Sequence, residues 1–257
     1  MNTPHPLFDL SGKRALVTGS SQGIGLALAQ ALASAGAHVI INGRDSAKCE
    51  RVAAEFAARG EKASVRAFDV TDYSATQANI DAIEHDIGAI DILVNNTGIQ
   101  IRDAFVDFPL ADFQRLIDTN VTSAFAVSQA VTRHMVTRGR GKIINVCSVN
   151  SELGRASIVP YVTSKGALKM MTKSMCVELA KQGIQVNGLG PGYFDTELTQ
   201  ALVQNAEFTA WLKQRTPAGR WGNVDELKGA IIFLAAPASD FVNGHILYVD
   251  GGMTAGV

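Results

Sequence analysis

The sequence has few cysteines and no pattern of metal ligands. Its 257 residues include three cysteines, Cys49, Cys147 and Cys176, which lie far apart and form no CxxC pair. This spacing predicts neither a disulfide framework nor a zinc site, and isolated thiols suit a reducing compartment. The five histidines also lack the spacing of metal ligands, so we predict no metal site.

Long apolar runs and a secretory signal are missing as well. The opening residues do not show the basic-then-apolar order of a signal peptide. No apolar run reaches the length that a bilayer-spanning helix needs. We therefore expect a cytoplasmic protein without a membrane partner.

Neither sign of charge is in excess. Lysine and arginine together number 23 against 24 aspartate and glutamate residues, which gives a formal net charge of −1. This balance gives no electrostatic reason to expect nucleic acid as a partner. What the sequence does contain is 47% hydrophobic residues, enough for the core of one large α/β domain.

Short apolar runs alternate with longer amphipathic segments along the whole chain. The runs are continuously apolar, as in ILVN and KIIN, which is typical of strands covered on both faces. Strict alternation predicts a single Rossmann-type α/β domain over residues 1–257, a doubly wound parallel sheet of about seven strands. The predicted strands are Arg14–Thr18, His38–Asn42, Ala63–Phe68, Ile90–Asn95, Lys142–Cys147, Gln185–Leu189 and Ile246–Val249. The predicted helices are Ile24–Ala35, Ser46–Arg59, Tyr73–Ile87, Leu110–Arg138, Tyr161–Lys181 and Val224–Ala235.

Residues 192–223 interrupt this alternation after the sixth predicted strand. Apolar residues such as Leu202, Phe208 and Trp211 predict one or two short amphipathic helices here. Because ligands of open α/β sheets bind beyond the carboxyl ends of the strands, we interpret the insertion as a substrate lid. The alternative is a fixed pair of helices packed on the core.

The first predicted strand leads into a glycine-rich turn, TGSSQGIG, which opens a helix. Glycines allow a tight turn close to a pyrophosphate, and the helix N-terminus offers N–H groups to the anion. An ordinary strand-to-helix turn is the alternative, but the position in the first βα unit favours dinucleotide binding. The residues assigned to this site are Gly19, Ser21, Gln22, Gly23, Ile24 and Gly25.

The end of the second strand predicts which dinucleotide is preferred. Gly43 supplies no carboxylate to repel a 2′-phosphate, and Arg44 can pair with one. We expect NADP(H) to be preferred and NAD(H) to be the weaker alternative, since Asp45 offsets part of the charge and Gln22 puts no second cation in the turn. Further candidate cofactor contacts follow the third and fourth strands: Asp69, Val70, Asn96 and Gly98.

Four polar residues predict a catalytic site. Tyr161 and Lys165 lie one helical turn apart and share a face. We expect the ammonium to lower the pKa of the Tyr161 phenol, which would exchange a proton during hydride transfer. Ser148 follows the fifth strand and can hold the substrate oxygen, and Asn120 lies in a helix packed nearby. A buried tyrosine beside a surface lysine is the alternative.

Together these motifs resemble the short-chain dehydrogenase/reductase family over essentially the whole chain. The resemblance implies that Asn120, Ser148, Tyr161 and Lys165 form a catalytic tetrad, with Asn120 holding a relay water and Lys165 bonding the nicotinamide ribose. One departure is Thr97, where the family usually has alanine. The matching elements are TGxxxGxG, Asp69, NNxG, Asn120, Ser148, Tyr161-xxx-Lys165 and Pro191-Gly192. By the same resemblance, the nicotinamide end of the cofactor contacts Pro191, Gly192, Phe194 and Thr196.

Strings in the second half, such as SELGR at residues 151–155, resemble family members that act on sugar acids. This likeness implies reversible, NADP-linked interconversion of D-gluconate and 5-dehydro-D-gluconate. A sugar acid needs a cation for its carboxylate, and Arg155 and Arg102 are the candidates. Glu152 is a candidate for substrate hydroxyls, with a salt bridge as the alternative. Ser148 and Tyr161 complete the predicted substrate contacts.

Other functions and the assembly stay open at this point. The same chemistry can act on another polyol, ketoacid or 3-oxoacyl substrate, and a more distant alternative is a non-catalytic NADPH-binding protein. The helices predicted over residues 110–138 and 161–181 carry more apolar residues than one sheet face needs. The residues support self-association, and the family resemblance implies a homotetramer.

Overall fold

The structure, a computed structural model, describes residues 5–256. Residues 1–4 and 257, which belong to the predicted single domain, lie outside the described residues. Seven of the strands form one parallel sheet, which confirms the predicted fold class. In chain order the strands are β1 (Arg14–Val17), β2 (His38–Ile41), β3 (Ala63–Val65), β4 (Ile92–Asn95), β5 (Gly141–Val146), β6 (Ile184–Pro191), β7 (Phe194–Asp195), β8 (Gly222–Asn223) and β9 (Ile246–Val249). The α-helices are α1 (Gly23–Ser34), α2 (Ser46–Ala58), α3 (Tyr73–Asp86), α4 (Leu110–Ile117), α5 (Ser123–Arg138), α6 (Val159–Leu179), α7 (Gln200–Val203), α8 (Ala206–Arg215) and α9 (Lys228–Ala235).

The strand order creates a crevice at the centre of the sheet. The order is β3-β2-β1-β4-β5-β6-β9, so the chain moves outward from β1 to β3 and then returns to β4 on the other side of β1. Open α/β sheets bind ligands in the crevice outside the carboxyl ends of the strands at such a reversal. The glycine turn after β1 lies at this point.

Two apolar cores cover the two faces of the sheet. Ala15 and Val17 of β1 pack with α1, α2 and α9, whereas Leu16 between them packs with α3 and α5. Burial on both faces explains why the strands have continuous apolar runs rather than alternating ones. Within residues 5–256, every helix is too short or too polar to serve as a membrane span.

The helix predicted over residues 110–138 is interrupted. A π-helical turn at Asp118–Thr122 separates α4 from α5 and contains Asn120. Such turns insert one residue into an otherwise α-helical segment and are frequent at functional sites. The apolar pattern predicted the helical segment but gave no sign of the turn inside it.

The third predicted strand, residues 63–68, ends in the structure at Val65. Beyond it, the side-chain amide of Asn42 donates to the carbonyls of Arg66 and Phe68 at 3.1 and 3.2 Å. The side chain of Asn42 therefore takes the place of backbone hydrogen bonds after Val65. The predicted strand is longer than the observed one for this reason.

Residues 192–223 contain two short helices, α7 and α8, as the apolar pattern predicted. The sequence did not predict that β7 and β8, near the two ends of the insertion, pair with each other as parallel strands. Movement of this insertion as a lid stays a prediction.

Candidate active site

The carboxyl edge of the sheet collects most of the residues that the sequence singled out. The glycine turn follows β1, Arg44 follows β2 and Asp69 lies beyond β3. On the other side of the crevice, Asn96 follows β4, Ser148 follows β5 and Pro191 ends β6. Parallel strands make this convergence unavoidable, because all their carboxyl ends lie at one edge.

The glycine turn has the geometry of an anion-binding loop. Gly19 and Gly23 have positive φ angles of 63° and 56°. A Cβ at Gly25 would lie 2.4 Å from the carbonyl oxygen of Gly19, so a larger residue there would displace the backbone. Gln22, the N-cap of α1, makes no side-chain capping bond, which leaves the N–H groups of the first turn, including that of Ile24, for an anion. The turn therefore fits a pyrophosphate.

Asn96 holds this turn in shape. Its side-chain amide donates to the carbonyls of Thr18 and Gly19 at 3.0 and 3.2 Å. The Thr18 hydroxyl accepts from the N–H groups of Asn96 and Thr97 at 3.0 and 3.1 Å. Asn96 thus joins the loops after β1 and β4. The contacts of Asn96 and of Gly98, which lies beside Asn120, with the cofactor stay predictions.

Two cations lie where a 2′-phosphate is expected. Arg44 has a side chain that is 80% exposed, 3.8 Å from the carboxylate of Asp69. Lys48, in the first turn of α2, donates from Nζ to Oε1 of Gln22 and so reaches the glycine turn. Lys48 was not predicted from the sequence, because the glycine turn itself contains no second cation. Its position in the sequence could have indicated it, because Lys48 lies three residues after Asp45, the N-cap of α2. Asp45 accepts from the Lys48 N–H at 2.9 Å.

The side chains of Asp69 and Val70 are largely engaged by the protein itself, although both residues lie at the predicted cofactor site. One carboxylate oxygen of Asp69 accepts from the N–H and the hydroxyl of Thr71 at 2.9 and 2.7 Å. The other oxygen faces Arg44. Val70 is buried in the core beside α3, so only its backbone remains to border a bound ligand.

Ser148 and Tyr161 meet at the end of β5. Ser148 is the N-cap of a single 3₁₀ turn, Val149–Ser151, and its Oγ accepts from the Asn150 N–H at 3.1 Å. The Ser148 hydroxyl also interacts with the Tyr161 phenol and lowers its pKa. The two groups predicted to contact the reacting oxygen therefore lie together.

The prediction that Lys165 lowers the pKa of the Tyr161 phenol is wrong. Burial raises the pKa of the Tyr161 phenol and outweighs the opposing interaction with Ser148. The Nζ of Lys165 lies 5.6 Å from the centre of the Tyr161 ring and donates to the carbonyl of Val146 at 2.7 Å. Burial lowers the pKa of Lys165 itself to about 8. Desolvation, which disfavours both charged forms, explains why the phenol is not acidified.

Asn120 is completely buried, and its side chain is fully engaged. Its Oδ1 accepts from the Ile99 N–H at 2.7 Å, while Nδ2 donates to the Ile99 carbonyl at 2.9 Å and to the Ser164 hydroxyl at 3.1 Å. Ser164 in turn donates to the carbonyl of Tyr161 at 2.8 Å. Asn120 thus ties the loop after β4 to α6. Both side-chain donors have protein partners, and the binding of a relay water at Asn120 stays a prediction.

Two arginines converge between the catalytic residues and the insertion. Nη1 of Arg155 donates to the Tyr193 hydroxyl at 3.3 Å, and the guanidinium lies 4.6 Å from the ring centre of Phe208 in α8. Partial burial and the positive charge of Arg155 both lower the pKa of Arg102, so the two cations are close. Within residues 5–256, neither has a carboxylate within ion-pair distance. This pair favours an anionic ligand.

Glu152 is placed differently from the other predicted substrate residues. Its Oε2 lies 2.5 Å from Nζ of Lys169, and its Oε1 accepts from the Tyr248 hydroxyl at 2.9 Å. These bonds lower the pKa of the Glu152 carboxyl, the bond to Lys169 most of all. Both oxygens have partners, which favours the salt-bridge alternative over contact with substrate hydroxyls.

The residues after β6 present mainly backbone to the crevice. Pro191 ends the strand and Gly192 begins the insertion. Phe194 is buried in the core, and the Thr196 hydroxyl lies 3.0 Å from that of Thr199 in a reciprocal cap. Their predicted contacts with the nicotinamide stay predictions.

Comparison with known proteins identifies the class. Residues 19–254 match a family model described as Enoyl-(Acyl carrier protein) reductase. The chain belongs to the short-chain dehydrogenase/reductase family, as its motifs indicated. A gluconate 5-dehydrogenase from Gluconobacter oxydans is 55% identical over 251 residues, which cover 97% of this chain and 98% of that protein.

Two further proteins are similar to this chain over nearly its whole length. A 5-keto-D-gluconate 5-reductase from Escherichia coli is 54% identical over 251 residues, covering 98% of this chain and 99% of that protein. A gluconate 5-dehydrogenase from Burkholderia cenocepacia, solved in complex with NADP and tartrate, is 55% identical. It superposes with a TM-score of 0.96 and covers 98% of this chain and 99% of that one. The predicted family is confirmed.

Proposed function

We propose that this chain is an NADP(H)-linked oxidoreductase that interconverts D-gluconate and 5-dehydro-D-gluconate. The observation that carries the proposal is the pair Arg102 and Arg155, two cations without an acidic partner in residues 5–256, which follow β4 and β5 at the sheet edge where Ser148 also lies. A carboxylate on the substrate supplies the missing partner. The 55% identity to gluconate 5-dehydrogenase supports this substrate class.

In the proposed reduction, Tyr161 donates its phenolic proton to the carbonyl oxygen of the substrate, and Ser148 donates a hydrogen bond to the same oxygen. Burial raises the pKa of Tyr161, which keeps the phenol protonated at neutral pH, the form that this direction needs. The reverse oxidation needs the deprotonated form, so it is favoured by alkaline pH. Asn120 fixes the loop beside α6, and the buried Lys165 binds the nicotinamide ribose.

The residues around the crevice fit an NADP(H) molecule, which supplies or accepts the hydride when bound. The glycine turn and the first turn of α1 hold the pyrophosphate. Arg44 and Lys48 would hold the 2′-phosphate, since Lys48 reaches Gln22 of the glycine turn and Arg44 follows Gly43, which lies beside Ser21 of that turn. Without a carboxylate at Gly43, the site tolerates this phosphate, and NAD(H) binds more weakly because it has no 2′-phosphate to pair with these two cations.

An absorbance assay of NADPH consumption tests the proposal. We expect 5-dehydro-D-gluconate to be reduced with a higher kcat/KM than uncharged ketoses, other ketoacids and 3-oxoacyl thioesters. A higher kcat/KM with a thioester or an uncharged ketose would contradict the assigned substrate but not the reaction. NADPH binding without reduction of any carbonyl would favour a non-catalytic binding protein.

We further propose that residues 192–223 close over the substrate. Phe208 and Trp211 of α8 lie 5.2 Å apart at their ring centres, and Arg155 stacks on Phe208. Drawing Arg155 toward a substrate carboxylate therefore changes the surroundings of Trp211. Its fluorescence should respond to a sugar acid in the presence of NADP and not to an uncharged sugar; no response to either contradicts closure.

We also propose that the protein is a cytoplasmic homotetramer. Helices α5 and α6 leave Phe125, Met170 and Val177 exposed by 52%, 57% and 83%, which a second copy would cover. Light scattering after size-exclusion chromatography should give four times the chain mass, and a monomer mass contradicts the assembly.

A further inference from the structure

Ser151 connects the two parts of the chain that carry the proton-transfer residues. Its Oγ accepts from the Ser148 N–H at 3.3 Å and donates to the main-chain carbonyl of Lys165 at 2.9 Å. Ser148 follows β5, whereas Lys165 belongs to α6. One half-buried hydroxyl therefore joins the end of a strand to the helix beside it.

The bridge is placed so that it affects the relative positions of Ser148 and Tyr161. Tyr161 precedes Lys165 by one turn of the same helix, so the Lys165 carbonyl moves together with Tyr161. At the other end, Ser151 bonds the backbone of Ser148, whose hydroxyl interacts with the Tyr161 phenol. Loss of the bridge removes the link to α6 that is nearest to Tyr161, which should change the separation of those two hydroxyls.

A second link joins the same turn to α6, but it is weaker. The Glu152 carboxylate and the Lys169 ammonium form an ion pair with side chains that are 36% and 22% exposed. Ion pairs that water reaches contribute little, since solvent screens them. The link also lies one turn beyond Lys165, farther from Tyr161. Ser151 is thus the nearer of the two restraints.

We propose that Ser151 is a positioning residue, which keeps the Ser148 hydroxyl aligned with the Tyr161 phenol. The proposal rests on the proposed function, because alignment matters only where both groups act on one substrate oxygen. A reacting group that is displaced by about 1 Å loses about 10²-fold in rate. Ser151 acts through Ser148 and not on the substrate.

The test compares Ser151→Ala with Ser151→Thr, which keeps the hydroxyl. We expect Ser151→Ala to lower kcat about tenfold or more while the Kd of NADPH stays within about twofold, and Ser151→Thr to restore most of the rate. The matched control is Thr163→Val. The Thr163 hydroxyl also donates to a carbonyl of α6, that of Val159 at 2.9 Å, but does not reach the Ser148 turn. Its kcat should match the wild type.

Two further readouts separate positioning from a general structural role. The interaction with Ser148 lowers the pKa of Tyr161, so Ser151→Ala should move the Tyr161 limb of the kcat/KM profile to higher pH. In a Ser148→Ala background, removal of Ser151 should cost little more, because there is no hydroxyl left to align. Should Ser151→Ala yield too little folded protein, Ser151→Cys keeps the size, weakens both bonds and serves the same comparison.

Equal losses in the two backgrounds, an unmoved pH profile or an unchanged kcat would each overturn the role of Ser151 and leave the proposed function intact. A wild-type protein that reduces no carbonyl overturns both proposals. The two failures are therefore distinguishable.

Discussion

The residues proposed for proton transfer and the arginines proposed for substrate binding are held in contrasting ways. Asn120 and Lys165 are buried and bonded to backbone atoms of neighbouring elements. Arg155 is held by an aromatic face and one phenol, and Arg102 has a like charge as its neighbour. Directional bonds fix the first group, whereas the second can reorient. We therefore expect a fixed region (Asn120, Ser148, Tyr161 and Lys165) to carry the proton transfer and an adaptable region (Arg102 and Arg155) to select the substrate.

Tyr161→Phe gives the largest expected effect, because it removes the proton donor and leaves the fixed region otherwise intact. We expect kcat to fall about 10²- to 10⁴-fold, with the Kd of NADPH nearly unchanged in a fluorescence titration. The matched control is Tyr73→Phe, whose hydroxyl donates to the Asp118 carbonyl at 3.1 Å, away from Ser148. Turnover that survives in Tyr161→Phe would show that another group transfers the proton.

Alanine at Arg155 tests the adaptable region. The KM for 5-dehydro-D-gluconate should rise about 10- to 100-fold, since a charge-assisted bond is lost, while the KM for an uncharged ketose changes by about twofold or less. Arg102→Ala should act in the same direction. Steady-state kinetics with 5-dehydro-D-gluconate and with the uncharged ketose measure both KM values.

The control for the arginines is Arg115→Ala, because Arg115 is already paired with Asp112 at 3.0 Å. It should leave both KM values unchanged. If Arg155→Ala affects charged and uncharged substrates alike, the arginine serves packing against Phe208 and not the carboxylate.

Alanine at Arg44 or Lys48 extends the comparison to the cofactor end, where we propose that these two cations select the nucleotide. Each change should weaken NADPH about tenfold and NADH little, as fluorescence titrations with the two nucleotides can measure. Arg51→Ala, on the exposed side of α2, is the control. Equal weakening of both nucleotides by Arg44→Ala and Lys48→Ala would mean that the 2′-phosphate is read elsewhere.

The same contrast explains what the sequence predicted. Parallel pairing follows from continuous apolar runs, and parallel pairing alone carries Ser148 and the glycine turn to one edge of the sheet. Tyr161 and Lys165 follow from helical spacing. These predictions depend on local periodicity, which one sequence displays.

The features that could not be predicted from the sequence depend on contacts between distant segments. The bridge from Ser151 to Lys165 and the reach of Lys48 to Gln22 join different elements, and neither has a local pattern. The expected acidification of Tyr161 was wrong for a related reason, since spacing predicts a neighbouring charge but not the desolvation that opposes it.

The prediction for Lys165→Met concerns stability rather than rate. Burial lowers the pKa of Lys165 from 10.5 to about 8, so between these values the unfolded chain binds more protons than the folded one. Unfolding free energy from this group therefore rises with pH from about 8 to about 10.5 and is constant below that window. Methionine removes the penalty at every pH, although it also loses the bond to Val146.

The Tm of Lys165→Met relative to the wild type should therefore be highest below pH 8 and fall by roughly 10 °C as the pH rises to about 10.5. The lost bond to Val146 shifts the whole comparison by a constant amount, so the slope and not the sign of the difference is diagnostic. Thermal unfolding of both proteins without nucleotide, across this range, measures it. Parallel curves would mean that Lys165 stays charged in the folded protein, and Tyr161 would then have a full ammonium beside it, as its spacing first suggested.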